Sequence, residues 1–243
     1  YISGAYATYV GQEIGQFYGW VYKGIARTQE DLDNNAVQQG ANVGDCLYED
    51  ISGPDGTPDG VIDAYDQTVL GSGLPKVNFG LSTHLEYKGF DLNISTYGVL
   101  NYHVSDDIYN SLNSCYGYGN KEVGMLDANR WSEDGSTYLS SVPRTYAANN
   151  ATLAWNDLFS SRKIQNAAYW KIANVELGYN FPDKWFGGYV SGVRLYVSAQ
   201  NLYTFTGYHG YNVDYAGGTF TPGYNFCSFP SARTFMCGLH FTF

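Results

Sequence analysis

The chain has 243 residues, enough for one or two domains, with 24 Tyr, 29 Gly and only 15% charged residues, where a soluble domain carries roughly 25%. A net charge of −10 without any Lys/Arg cluster excludes nucleic acid as a partner, because phosphate neutralisation needs basic side chains. No run approaches the roughly 18 apolar residues of a membrane helix, which excludes helical membrane proteins but leaves β-barrels open.

In chain order, the aromatic and β-branched run Phe17 to Ala26, "FYGWVYKGIA", predicts a strand. In "TQEDLDNNAVQQG", Thr28 is an N-cap with Asp31 three places on and Gly40 a stop, so a short surface helix is expected. "DGTPDGVIDAYD" follows, within an acidic segment spanning residues 45–71. It places oxygen donors at the spacing of an EF-hand-like loop: Asp55, Thr57, Asp59, the Val61 carbonyl, Asp63 and Asp66, with Gly60 at the bend and Ile62 as an apolar anchor. Structural calcium (Ca2+) is the cofactor that this order implies. The alternative is a solvated turn rich in Asp, Gly and Pro.

From Lys76 the period becomes two. In "KVNFGLSTHLEY" Val77, Phe79, Leu81 and Leu85 alternate with Asn78, Ser82, His84 and Glu86. "KG" turns the chain, and Phe90, Leu92 and Ile94 alternate with Asp91, Asn93 and Ser95, so a hairpin is expected. "YWKIANVELGYNF" sets Ala173, Val175, Leu177, Tyr179 and Phe181 against Asn174, Glu176 and Asn180. "GVRLYVSAQNLY" sets Val193, Leu195, Val197 and Ala199 against Arg194, Tyr196, Ser198 and Gln200. The final "RTFMCGLHFTF" alternates likewise and ends on Phe243. These runs span about 10 to 13 residues, against about 5 to 6 for soluble strands and about 9 to 11 for tilted membrane-crossing ones. Length and alternation together point to an all-β, antiparallel transmembrane wall. The alternative is a large soluble β-sandwich.

Long polar and aromatic connections, roughly 102–162 and 207–231, carry Trp131, Tyr138, Trp155, Tyr208, Tyr211, Tyr215 and Tyr224. Their ring faces beside Asn and Gln suit stacking on sugar or gripping peptide backbone; the alternative, favoured for any single residue, is packing within the loops or contact with a partner protein. Trp20, Trp170 and Trp185, near strand ends, read as interfacial girdle residues. Cys46, Cys115, Cys227 and Cys237 lack C-x-x-C spacing and read as free thiols, the alternative being disulfides formed in an oxidising compartment. Catalysis is not expected. The four histidines are scattered, no G-x-S-x-G elbow occurs, and Asp106 and Asp107 read as surface charge.

Several motifs stand in order: "FYGWVYKGI", "GDCLYEDISG", "PDGVIDAYDQTVLGSGLPKVNFGLSTHLEYKGFDLNISTYG", "NRWSEDGST", "YWKIANVELGYNFP", "VRLYVSAQNLYTFTGYHGYNVD" and "RTFMCGLHFTF". Together they resemble the C-terminal part of SusC-like TonB-dependent outer-membrane transporters over nearly the whole of 1–243. The "ISGPDGTP" insertion and "NVDYAGG" depart from the family pattern in two loops. The resemblance implies the last strands of a 22-stranded antiparallel barrel whose plug lies outside this sequence, since 243 residues cannot close such a barrel. It further implies import of oligosaccharides or oligopeptides across the outer membrane of a Gram-negative bacterium. The partners would be the remainder of the barrel and plug, a SusD-like surface lipoprotein lid, the TonB complex and outer-membrane lipid. Phe243 would be the C-terminal assembly signal. The competing function is a soluble, calcium-stabilised carbohydrate-binding β-sandwich, and a third is an adhesin-like surface protein.

Overall fold

The structure, a computed structural model, describes residues 1–115, 120–123, 130–132, 140–145, 155–186, 190–215 and 217–242. The chain divides into two compact bodies. The first comprises Tyr1–Leu74, His103–Gln165 and Tyr215–Cys227; the second comprises Pro75–Tyr102, Asn166–Asp214 and Ser228–Phe243. No helix among the described residues is long and apolar enough to cross a membrane.

The first body, here the loop body, begins with β1 (Ile2–Ser3), β2 (Tyr6–Ala7), β3 (Gln16–Gly19), β4 (Tyr22–Ile25), β5 (Cys46–Tyr48) and β6 (Thr68–Ser72). The single strand expected over Phe17 to Ala26 is therefore two. β3 pairs with β2 and β6, whereas β4 pairs with β5. Between them Trp20 turns inward, donating from Nε1 to the Asp63 carbonyl at 2.9 Å and packing against Cys46, Tyr48 and Ile62. Trp20 is thus a core residue of this body and not a girdle residue.

Helix α1 (Gln29–Asp33) starts as its sequence dictates, with a capping box between Thr28 and Asp31. It ends at Asn34, well short of Gly40, because "NNAVQQG" offers no apolar stripe to hold further turns.

The second body is a wall. β7 (Val77–Tyr87) and β8 (Phe90–Leu100) form the expected hairpin, closed by Lys88 and Gly89 at φ +50° and +87°, the paired left-handed conformations of a type I′ turn. Short strands β9 (His103–Asp106) and β10 (Gln165–Asn166) flank the long connection that contains α2 (Asp107–Leu112). β11 (Tyr169–Phe181) and β12 (Gly192–Thr206) follow. After β13 (Gly217–Gly218), β14 (Thr221–Pro222) and β15 (Tyr224–Asn225), β16 (Thr234–Thr242) returns to the wall. The antiparallel order is β16-β12-β11-β8-β7, so β7 and β16 are edge strands with no partner among the described residues.

Register sorts the wall into two faces. One carries Phe79, Leu81, Leu85, Leu92, Ile94, Val175, Leu177, Leu195, Val197, Phe235, Leu239 and Phe241; the other carries His84, Glu86, Asp91, Asn93, Glu176, Arg194, Ser198 and His240. Strict alternation along β11 would put Lys171 on the apolar face. A bulge at Ala173, between Ile172 and Asn174, moves it across, so that Lys171 stands opposite Tyr97 on the polar face and Trp170 stays with the apolar set. Ala173, expected on the apolar face, is the unpaired bulge residue.

Candidate functional site: a two-faced wall and its loop sites

The apolar face faces solvent in this body: Leu81 is 62% exposed, Leu85 57% and Leu239 58%. At about 25 cal/mol per Å2, a contiguous apolar face of this kind is unfavourable in water, and a β-sandwich would bury it. Aromatic groups bound it at both ends. Near the tight turns Phe90 lies 4.6 Å from Tyr179, and Phe181 lies 5.0 Å from Tyr179 and 5.9 Å from the exposed Trp185. At the far end Trp170 stacks on Phe205 at 5.4 Å, and Tyr203 contacts Phe205 at 4.7 Å. From Tyr179 to Trp170 a strand advances about 28 Å, or about 21 Å along the normal at a tilt of about 40°. That is close to the apolar band of about 25 Å that a membrane barrel presents.

The polar face is charged and cross-linked. Arg194 on β12 donates to Asp91 on β8 (Nε to Oδ1, 3.0 Å, with a second bond from Nη2 to Oδ2) and to Glu176 on β11 at 2.6 Å. Gly178 makes room for this, since a Cβ there would lie 2.5 Å from both Arg194 Nη2 and Asp91 Oδ1. Higher on the same face, Lys171 is 3% exposed and pairs with Asp214, to which Tyr97 also donates at 3.3 Å. The pairing fastens the connection after β12 to the wall. Beside it opens a cavity of about 320 Å3 lined by Lys171, Asn201, Thr204, Tyr211, Asn212 and Arg233, among others. The sequence alone marked neither cluster. The detectable signal was a lone Lys or Arg inside an otherwise alternating strand.

The expected loop aromatics fall into different environments. Tyr211 is exposed and lines that cavity. Tyr208 is buried. Trp131 is buried beneath Gly44, where a Cβ would come within 2.4 Å of its ring. Trp155 packs on Tyr48 at 6.2 Å and donates to the Gln39 carbonyl at 3.1 Å. Tyr138 and Phe243 lie outside the described residues.

In the acidic loop Gly60 has φ +84° and Ile62 is buried against Cys46 and Tyr48. Asp55, Thr57 and Asp59 are exposed. Asp66 is fully buried, and its two oxygens accept from the backbone N–H groups of Ile51 (2.7 Å), Ser52 (3.2 Å) and Asp63 (2.8 Å). Asp63 caps the N–H of Tyr65 at 2.7 Å, Asp59 accepts from Val61 at 3.0 Å, and Asp50 accepts from Gly60 at 2.7 Å. Among the described residues no three His, Cys, Asp or Glu side chains converge as a metal-holding group. Asp66 and Asp63, as they stand, organise the loop backbone.

A second polar centre holds the loop body together. Asp45, 1% exposed, receives Arg144 through two bonds (Nε to Oδ1, 2.6 Å; Nη2 to Oδ2, 2.8 Å) and Asn156 Nδ2 at 2.8 Å. Asn156 in turn accepts from the N–H of Cys46 at 2.7 Å. All four cysteines are free. Burial pushes the Cys46 thiol up to about 12, so it is inert at neutral pH.

No family model matches the chain. It is 30% identical over 242 residues to TonB-dependent receptor P3 of Formosa agariphila, covering 96% of this chain and 22% of that protein. It is 28% identical over 243 residues to TonB-dependent receptor P26 of the same organism (96% of this chain, 23% of that protein). It is 25% identical over 227 residues to TonB-dependent receptor SusC of Bacteroides thetaiotaomicron, covering 86% of this chain and 21% of that protein. The chain thus spans about a fifth of the length of these curated relatives. The RagAB peptide transporter matches in structure with a TM-score of 0.69 at 21% identity, over 93% of this chain and 22% of that one. The RagAB peptide importer in the open-open state matches with 0.70 at 20% identity, over 98% and 25%. At such identities the structural matches show the fold alone.

Proposed function

We propose that the chain is a segment of a SusC-like TonB-dependent transporter and that it supplies wall strands and loops to a barrel that imports oligosaccharides or oligopeptides across the outer membrane. The observation that carries this reading is the five-stranded sheet with an apolar face between two aromatic girdles, a charged face opposite, and two edges unpaired among the described residues. Open edges in hydrocarbon leave backbone N–H and C=O groups unsatisfied, so β7 and β16 pair with the rest of the barrel. The charged face with Asp91, Glu176, Arg194 and Lys171 lines the lumen beside the plug. The connections bearing Tyr211 and Arg233 face the substrate and a SusD-like lipoprotein lid, and the TonB complex acts through the plug. No step of this reading requires catalysis by the chain.

Intact mass and electrophoresis of the detergent-extracted native complex, unheated and then boiled, test the reading when every released band is sequenced. A heat-modifiable assembly that contains this sequence together with a plug-bearing segment supports it. A water-soluble species of about 27 kDa, folded without partners, would falsify it.

We also propose, from the order of oxygen-bearing residues between Asp55 and Asp66, that the acidic loop takes a structural calcium ion through its solvent-facing donors Asp55, Thr57, Asp59 and the Val61 carbonyl. Terbium luminescence sensitised by Tyr65 and displaced by calcium is the expected result in the full transporter. Absence of any calcium-displaceable signal would leave the loop as a hydrogen-bonded turn.

A further inference from the structure

The loop body holds a cavity of about 280 Å3 that none of these readings uses. It is lined by Tyr22, Tyr109, Asn110, Asn113, Arg162 and Lys163, with Ser141 and Val142 beside them. Both cations come from one short 3-10 turn, Ser161–Lys163, which is fixed to β4 by the bond from the Tyr22 N–H to Ser161 Oγ at 3.0 Å. Two adjacent half-buried cations in a chain of net charge −10 need a reason.

Their neutralisation inside the body is incomplete. Lys163 donates to the backbone carbonyl of Asp157, whose nearer carboxylate oxygen is 3.7 Å away, beyond hydrogen-bond distance. That carboxylate already accepts from Ser114 Oγ at 2.8 Å and from the Cys115 N–H at 3.2 Å. Arg162 lies among Cys115, Cys46, Tyr22 and Tyr48, and no carboxylate among the described residues pairs with it. Those thiols and phenols carry no charge at neutral pH: burial pushes Cys46 and Tyr22 up to about 12, and raises Cys115 and Tyr48 as well. Burial, with Arg162 alongside, lowers the Lys163 ammonium below its ordinary value although Asp157 opposes the shift. Neither cation thus hydrogen-bonds a carboxylate, and the Arg162 guanidinium, which bonds the Cys115 sulfur, still lines the cavity. A planar or tetrahedral oxyanion is the group that such a fork recognises.

The rest of the lining narrows the ligand. Tyr22 and Tyr109 offer rings, and Asn110, Asn113 and Ser141 offer amide and hydroxyl groups, which suit the faces and hydroxyls of a sugar. We propose that this cavity is a binding site for an acidic saccharide, its sulfate or carboxylate group held by Arg162 and Lys163 and its ring set between Tyr22 and Tyr109. The inference deepens the import reading by naming a substrate class. It also stands on binding alone, so that the two can fail separately.

The test is calorimetric titration of the full transporter in detergent with glucose 6-sulfate, glucuronate, glucose, inorganic sulfate and N-acetylglutamate. Expected is saturable binding of one or both acidic sugars, none of glucose, and at least a tenfold loss in Arg162→Gln with partial retention in Arg162→Lys. Whichever acidic sugar binds identifies the anion's source. Because Arg162 is half-buried, Ser141→Trp, at an exposed lining position, provides a second variant that should block the cavity without removing charge. Equal binding of glucose, inorganic sulfate binding as tightly as the sugar sulfate, N-acetylglutamate binding in place of the sugars, or unchanged affinity in a folded Ser141→Trp protein would each overturn the proposal. Acidic-sugar binding without uptake of labelled sugar by cells would retain the site and discard the import reading.

Discussion

The wall and the loop body satisfy their backbones by different means. In the wall, backbone N–H and C=O groups pair along long antiparallel ladders, the outer sides of β7 and β16 excepted, and side chains only decide which face is which. In the loop body strands are short, and buried polar side chains carry much of the load. Asp45, Asp66, Asp106 and Asn156 each accept bonds from backbone N–H groups far from any long ladder. A periodic element therefore tolerates exchange of one polar residue for another, whereas an aperiodic one depends on single atoms.

The loop body is most vulnerable at Asp45. Asp45→Ala removes a fully buried carboxylate and strands Arg144 and Asn156, at a cost of about 3–5 kcal/mol. Limited proteolysis should then cut the loop body in the purified transporter while the barrel stays heat-modifiable. Equal loss of both would contradict a role of Asp45 confined to the loop body.

On the wall, Lys171→Met removes the buried partner of Asp214. Because Asp214 is 23% exposed and can rehydrate, about 1–3 kcal/mol is expected. The visible result should be faster amide exchange in 207–214 with the ladder unaffected. Gly178→Ala sharpens the same point. Its Cβ would meet Arg194 Nη2 and Asp91, both side-chain ends that can shift, so about 1 kcal/mol is expected, read as a lowered unfolding midpoint.

The smallest effect belongs to α1. The backbone N–H groups of Thr28 and then Arg27 hold the Asp31 carboxyl below its ordinary 3.8. A depressed folded value means that the capping contribution is fully present above 3.8 and is lost as pH falls through the lowered value. Amides of 28–34 should exchange faster only in that acidic window, and Thr28→Ala should cost about 1 kcal/mol locally.

The wall is legible in the sequence because its cause is local. A period of two over Val77–Tyr87 or Gly192–Thr206 assigns each side chain to a face wherever the partner strand lies, and "KG" sets the turn. The Thr28–Asp31 box was legible for the same reason. What resisted reading was every feature set by residues distant in the chain. The bulge at Ala173, which returns Lys171 to the polar face, depends on the registers of β8 and β12 together. Trp20 resembles a girdle aromatic in sequence, yet it packs into the loop body because Asp63 folds back onto it, and which segment covers Trp131 is set by Gly44, far away in the chain.

The antiparallel wall, its two faces, its tight turn and the start of α1 each follow from residue spacing within a dozen positions. Only the tertiary structure decided that Asp45 meets Arg144 and Asn156, that Asp66 ties the acidic loop, and that Arg162 and Lys163 share one cavity with Tyr22. Those contacts join segments separated by up to about 140 residues, where no local periodicity constrains which side chains meet and burial alone selects the pairs that can be satisfied.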